Sequence, residues 1–193
     1  TGKPFIDSAN AVLQGIMNQL EFTYEEPDGT IIATDNPDVR EAYDTVIEHA
    51  VPIAAYAGQW SEDWNASMTA GDYAAMACPG WMLGVISGNA PTISTWDLAD
   101  AFPGGGGNWG GSYLVVPANG ANVDAASQLA DWLTSPETQL KAFANAGTFP
   151  SQNEALASSE LAAATNEYFN NAPVGEILTE RANAITVAPF KGP

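Results

Sequence analysis

The sequence is short of cysteine, histidine and basic residues: Cys78, His49 and five Lys or Arg among 193 residues. One cysteine excludes an intrachain disulfide, and beside Pro79 in an apolar stretch it reads as a small buried hydrophobe. One histidine excludes multi-histidine metal centres, and no metal is expected. A Cys78–His49 nucleophilic pair is formally allowed, but His49 falls on a helical pattern with no other site-like residue around it. Five cations against 23 acids leave a formal net charge of −18. Such a surface repels phosphate backbones and anionic lipid, which argues against nucleic acid and membrane surfaces as partners. The acidity itself reads as solubility in a secreted or high-salt setting. No apolar run approaches the roughly 20 residues that span a bilayer. No secretory signal is read, and the missing initiator Met leads us to expect a processed, cut or partial chain.

What is present is enough for one domain with a core, or slightly more: 46% of residues are hydrophobic. Ala9, Val12, Leu13, Ile16, Met17 and Leu20 form one stripe at helical spacing, with Asp7 or Ser8 as the N-cap. Two β-prone runs then flank Pro27-Asp28-Gly29, a turn signal. The helical pattern returns over residues 38–50, with Asn36 as cap and Pro37 in the first turn, and again over 61–70. Residues 71–78 predict a buried strand broken by Pro79-Gly80, leading to a short helix near Trp81. Residues 112–117 predict another strand, stopped by Pro117. Helices are predicted over 125–133, from Ser135-Pro136-Glu137 to Gly147, over 161–170 and over 174–184. Helices with strands between them read as α/β, with too few strands for a barrel or sandwich.

The stretch PGGGGNWGGSYLVVP (residues 103–117) sets six glycines around Trp109. A phosphate loop would end in Gly-Lys-Ser/Thr, and a dinucleotide loop would follow a strand and open a helix; neither holds here, so no nucleotide cofactor is expected. The better reading is a change of direction between two structural units, with backbone groups open to a ligand and Trp109 as a flat apolar plate. Trp60, Trp64, Trp81, Trp96 and Trp109 cluster in the middle third, several beside turn residues and small polar groups. Indoles in that setting suit a pyranose, which has an apolar C–H face and a hydroxyl rim. Trp60 and Trp96 read mainly as core aromatics, Trp81 and Trp109 as ligand-facing, and Trp132 as helix packing. One stack contributes on the order of 1–2 kcal/mol at about 25 cal/mol per Å², against the roughly 8 kcal/mol of a micromolar ligand. Several plates and hydrogen bonds are therefore required. A glycoside hydrolase fragment is the alternative, since it needs two carboxylates across a cleft. Glu62, Asp63, Asp72 and Asp97 are at hand but show no distinctive arrangement.

WNASMTAGDYAAMACPGWMLGVI, PGGGGNWGGSYLVVP, LADWLTSPETQLKAFANAGTFPSQNEAL and TNEYFNNAPVGEIL, in this order, resemble the extracellular solute-binding proteins of ABC-type sugar importers. The likeness is to the cellobiose/oligosaccharide-binding branch, with maltose-binding protein more distant, and the SPETQLKAF…FPS stretch is its strongest marker. The resemblance implies a periplasmic-binding-protein-like type II α/β fold of two lobes, closing on a sugar in the cleft between them. It implies a non-enzymatic, cofactor-free, monomeric receptor that hands an oligosaccharide to a membrane permease. The full-length form would be an extracellular, cell-surface lipoprotein or a periplasmic protein. Family members are longer, with the extra part before Thr1. Residues 1–104 and 155–193 would then form most of the C-terminal lobe, residues 105–154 would return to the N-terminal lobe, and one cleft wall would be largely absent. By position in the family, Trp81 stacks on sugar, Asp7 and Ser8 are a cleft-facing polar element, and Trp109 lies at the hinge edge with Asn108, Gly110 and Ser112. Trp64 is a weaker carry-over. Asp7, Ser8 and Asn108 would take hydroxyl hydrogen bonds. Two other readings stay open here, the carbohydrate-active enzyme fragment and an interaction domain that keeps only the fold.

Overall fold

The computed structural model describes residues 2–185. Helix α1 (Ala9–Met17) buries Ala11, Gly15 and Met17. Its apolar stripe packs on the start of α2 (Pro37–Thr45) through Met17, Val39 and Ala42, and on Ile6, Val46, Ala50 and Ala54. Between the two helices the chain makes a minimal hairpin. Glu25 and Ile31 pair antiparallel, and Asp28 Oδ1 accepts from the Thr30 amide at 2.9 Å in the turn. Asn36 joins the hairpin to α2: its oxygen caps the helix at Asp38 N, and its amide donates to the Phe22 and Thr23 carbonyls. The helix continues past Thr45 as a wide turn (Val46–Ala50) and a tight one (Val51–Ile53). Pro52 there has no N–H to offer the ladder, so the helix cannot propagate.

A second core is built by α3 (Glu62–Ala70) and α4 (Met82–Asn89), with Trp64, Met68, Met82, Leu83 and Ile86 packed against Phe169, Ala172 and Val174. Ser61 Oγ caps α3 at Trp64 N, and Gly71 ends it in the left-handed conformation, φ +61°. The buried strand expected over residues 71–78 does not form: the segment bends at Tyr73 and Ala74 and pairs only at Ala75. A single parallel bridge joins Ile6 to Ala75 and another joins Ile6 to Ala54, so residue 6 is the centre of a three-segment parallel rung.

The glycine run is not a free linker. A Cβ on Gly106 would strike the Arg181 carbonyl, and one on Gly107 would lie 2.6 Å from the Gly15 carbonyl oxygen. Only glycine lets these backbones approach, so residues 106–107 are wedged between α1 and α9 (Val174–Asn183). Arg181 also pairs with Asp100, fixing the approach to the run.

Beyond it, the expected strand over 112–117 does not form. The segment has no ladder partner among the described residues, and Tyr113 and Val115 are 95% and 83% exposed. Helix α5 (Val123–Leu133) buries no residue. Helix α6 (Pro136–Ala146) starts and stops as its sequence predicts, at the Ser135 cap and at Gly147 with φ +69°. Gln139 brackets the following turn: its Oε1 accepts from the Ser151 and Gln152 amides, and its Nε2 donates to Ser151 Oγ. Short helices α7 (Asn153–Leu156) and α8 (Ser159–Ala162) lead to α9. The helix expected over 161–170 is replaced by α8 and a tight turn, Glu167–Phe169. Asn166 there caps Tyr168 N and bridges to Ala172, while Asn170 and Asn171 take positive φ, which asparagine tolerates better than most residues. Of the expected C-terminal-lobe stretch 155–193, residues 186–193 lie outside the described residues.

Candidate functional site

The three-segment rung directs its carboxyl ends to one edge, the side on which α/β sheets open their ligand crevices. Phe5 and Ile6 amides donate to the Ile53 carbonyl, the Ala55 amide to Ile6, the Asp7 amide to Ala75, and the Ala74 and Ala75 amides to Phe5. At that edge lies a cavity of about 430 Å³. Ser8, Asn10 and Gln14 line it from α1, Ala57, Gly58, Gln59 and Trp60 from the loop after the rung, and Trp109 from the glycine run. Asn10 and Gln14 are one turn apart and so share a face of α1. None of these lining side chains is ionisable, although the chain as a whole carries −18. The Ser8 hydroxyl makes no cap hydrogen bond to α1, so it is not committed to the helix it precedes.

Four indoles run together beside the cavity. Trp60 lies nearly parallel to Trp81 (5.7 Å between centroids, 22°) and tilted against Trp64 (5.0 Å, 52°). Trp81 meets Trp109 edge-on at 5.9 Å, and its Nε1 donates to the Trp109 carbonyl at 2.8 Å. Trp60 holds φ +73°, a backbone conformation that costs a bulky residue energy and persists only where its surroundings enforce it. It is 56% exposed despite its two ring contacts.

Asp7 is fully buried behind this wall. Its Oδ2 accepts from Trp64 Nε1 at 3.0 Å and from Gln59 Nε2 at 3.2 Å, while Oδ1 has no hydrogen-bond partner among the described residues. Burial pushes its carboxyl above the usual carboxylate range, against the opposing pull of the Trp64 and Gln59 hydrogen bonds. Burial, and secondly the charge of Asp7, push the Cys78 thiol up to about 12. Such a thiol is not a nucleophile at neutral pH, and His49 is exposed on the 46–50 turn while Cys78 packs on the α3–α4 core.

Of the residues proposed from sequence, Ser8 and Trp109 line the cavity. Trp81 backs both plates, and Gly110 lies over its indole edge, where a Cβ would be 3.7 Å from Nε1. Trp64 and Asp7 are fully buried and turned to each other; their place is behind the wall, where Trp64 Nε1 donates to Asp7 Oδ2. Asn108 and Ser112 are exposed and lie outside the lining. Sequence reasoning passed over Asn10, Gln14 and Gln59 and read Trp60 as core. The spacing of Asn10 and Gln14 was visible; the exposure of Trp60 depends on a turn made by Gly58 and Ser61, whose amide donates to the Gly58 carbonyl.

The fold thus sets a polar, uncharged cavity at the carboxyl edge of a parallel rung. A family model for bacterial extracellular solute-binding proteins matches residues 5–170. A crystal structure of an extracellular solute-binding protein of family 1 superposes with a TM-score of 0.88 at 41% identity, covering 98% of this chain and 49% of its own. No curated protein gives a significant match. The chain belongs to the bacterial extracellular solute-binding proteins, a family of binders, and has their periplasmic-binding-protein-like α/β fold. It spans about half the length of the solved structure it matches. Among the described residues no helix is long and apolar enough to cross a membrane, and no three His, Cys, Asp or Glu are grouped to hold a metal ion.

Proposed function

We propose that this chain is part of a carbohydrate receptor that delivers an oligosaccharide to the permease of an ABC importer. The observation that carries the reading is the lining of the cavity: amides, one hydroxyl and two indoles, with no ionisable group, in a strongly acidic protein. A charged solute would need an opposite charge or metal there, since an unpaired buried charge is expensive. A neutral polyol needs what is present, donors and acceptors for hydroxyls and a flat face for C–H groups. Family membership supports the transport role, with an extracellular or periplasmic location and, in the full-length form, a lipoprotein anchor as the finer proposal.

The lobe division belongs to the same proposal. Residues 1–104 and 155–193 would be the C-terminal lobe and residues 105–154 the returning part of the N-terminal one. The exposed apolar faces of residues 113–115 and α5 support it, because they lack a cover among the described residues. The test is intrinsic tryptophan fluorescence of the chain titrated with cello-, xylo- and malto-oligosaccharides, beside Trp109→Ala. A saturable shift with one series, lost in the variant, is expected. Hydrolysis of any of these sugars, or equal binding of parent and variant, would overturn the reading.

A further inference from the structure

We propose that Asp7 is a positioning residue whose single oxygen Oδ2 holds both ends of the 59–64 turn and thereby sets Trp60 against Trp81, so that the ligand-facing plate of the cleft is Trp60 rather than Trp81. The placement rests on three independent features. Gln59 and Trp64, which bracket the turn, both donate to the same buried oxygen, at 3.2 and 3.0 Å. Trp60, between them, keeps a left-handed backbone at φ +73° and remains largely exposed. Trp60 also covers one face of Trp81 at 5.7 Å and 22°, and it is Trp60, with Trp109, that borders the cavity.

The energetics follow from these contacts. A bulky residue at positive φ needs its surroundings to over-determine it. The two hydrogen bonds to Asp7 Oδ2 and the two ring contacts of Trp60 are the surroundings that hold the strained turn. Without the clamp the turn relaxes, Trp60 leaves Trp81, and the cavity loses a wall. The deepened site rests on the receptor reading for its ligand, but the clamp itself does not.

Two stacked indoles couple their transitions and give a far-ultraviolet circular dichroism couplet, a signature that requires no ligand. Trp60→Phe and Trp81→Phe identify the couplet by difference. Asp7→Asn keeps an acceptor oxygen and is expected to retain it, whereas Asp7→Ala and Gln59→Met are expected to lose most of it with the helical signal unchanged. Gln59 is only half-buried, so Gln59→Met decides the matter if Asp7→Ala fails to fold. A full couplet in folded Gln59→Met, or none attributable to Trp60 in the parent, would overturn the clamp. For whichever sugar binds the parent, Trp60→Ala is expected to weaken affinity by about tenfold, and unchanged affinity would overturn Trp60 as the plate. If no sugar binds, the receptor reading fails while the couplet still decides the clamp.

Discussion

The α3–α4 pair and helix α5 lie at opposite ends of the burial scale. In the first, Trp64, Met68, Met82 and Ile86 are sealed in a core shared with Phe169. In the second, Leu129, Trp132 and Leu133 stand in solvent, and so do Tyr113, Leu114 and Val115 just before it. Both regions carry large apolar side chains, so an apolar stripe states only which face seeks a cover. Stability resides where the cover is present, and the cleft is built on that side. Of the two indoles that line it, Trp60 leans on Trp64, which belongs to the sealed region.

The comparison is broken most directly by truncating one tryptophan from each region. Trp64→Ala removes a fully buried ring and a donor to Asp7, and is expected to destabilise the chain by about 3–5 kcal/mol in urea unfolding. Trp132→Ala, at 62% exposure, is expected to stay within about 0.5 kcal/mol of the parent. Equal losses would mean that α5 is covered in solution.

Glycines sharpen the contrast at a smaller scale. Gly106→Ala drives a methyl into the Arg181 carbonyl and is expected to cost about 1–3 kcal/mol. Gly84→Ala, on the exposed face of α4 with nothing within 4 Å, is expected to stabilise by about 0.5–1 kcal/mol in thermal unfolding. A destabilising Gly84→Ala would mean that this face of α4 is occupied.

The pH dependence of the sealed region follows from Asp7. Its folded carboxyl binds a proton more readily than its unfolded one, whose usual value is 3.8. The stability this contributes is present below 3.8 and is lost as pH rises through the raised folded value. Asp7→Asn has no proton to release there, so its stability relative to the parent is expected to rise between about pH 4 and pH 7. A constant difference across that range would show that Asp7 is not desolvated. The smallest effect is expected at the exposed Lys141–Glu137 pair on α6, where Lys141→Met should leave the unfolding midpoint unchanged.

Local grammar was legible because its causes are local. Asn36 and Ser135 cap the helices their positions indicate, Gly147 ends α6, and the Pro27-Asp28-Gly29 turn forms. The strand over 112–117 was misread because its β-prone side chains describe a preference that only a neighbouring strand can satisfy, and none lies beside it among the described residues. The helix over 161–170 was misread because apolar spacing outweighed Asn166, Asn170 and Asn171, whose side chains and backbone preferences favour turns. In the candidate site, Ser8 and Trp109 were visible as polar and aromatic residues beside chain reversals. Trp60 and Gln59 were not, because their placement is fixed by a carboxylate 52 residues away in sequence, an interaction with no local signature.

The glycine seam between α1, residues 106–107 and α9 has a mechanical meaning. A joint between side chains can loosen by degrees as rotamers exchange, but a joint between bare backbones has no rotamers to exchange. It either keeps its spacing or opens altogether. Trp109, two residues beyond the seam, is therefore registered against Ser8 by the rigid path through Gly107 and Gly15. The two sides of the cavity are gauged to each other by peptide planes in contact, like the fixed jaw and beam of a caliper.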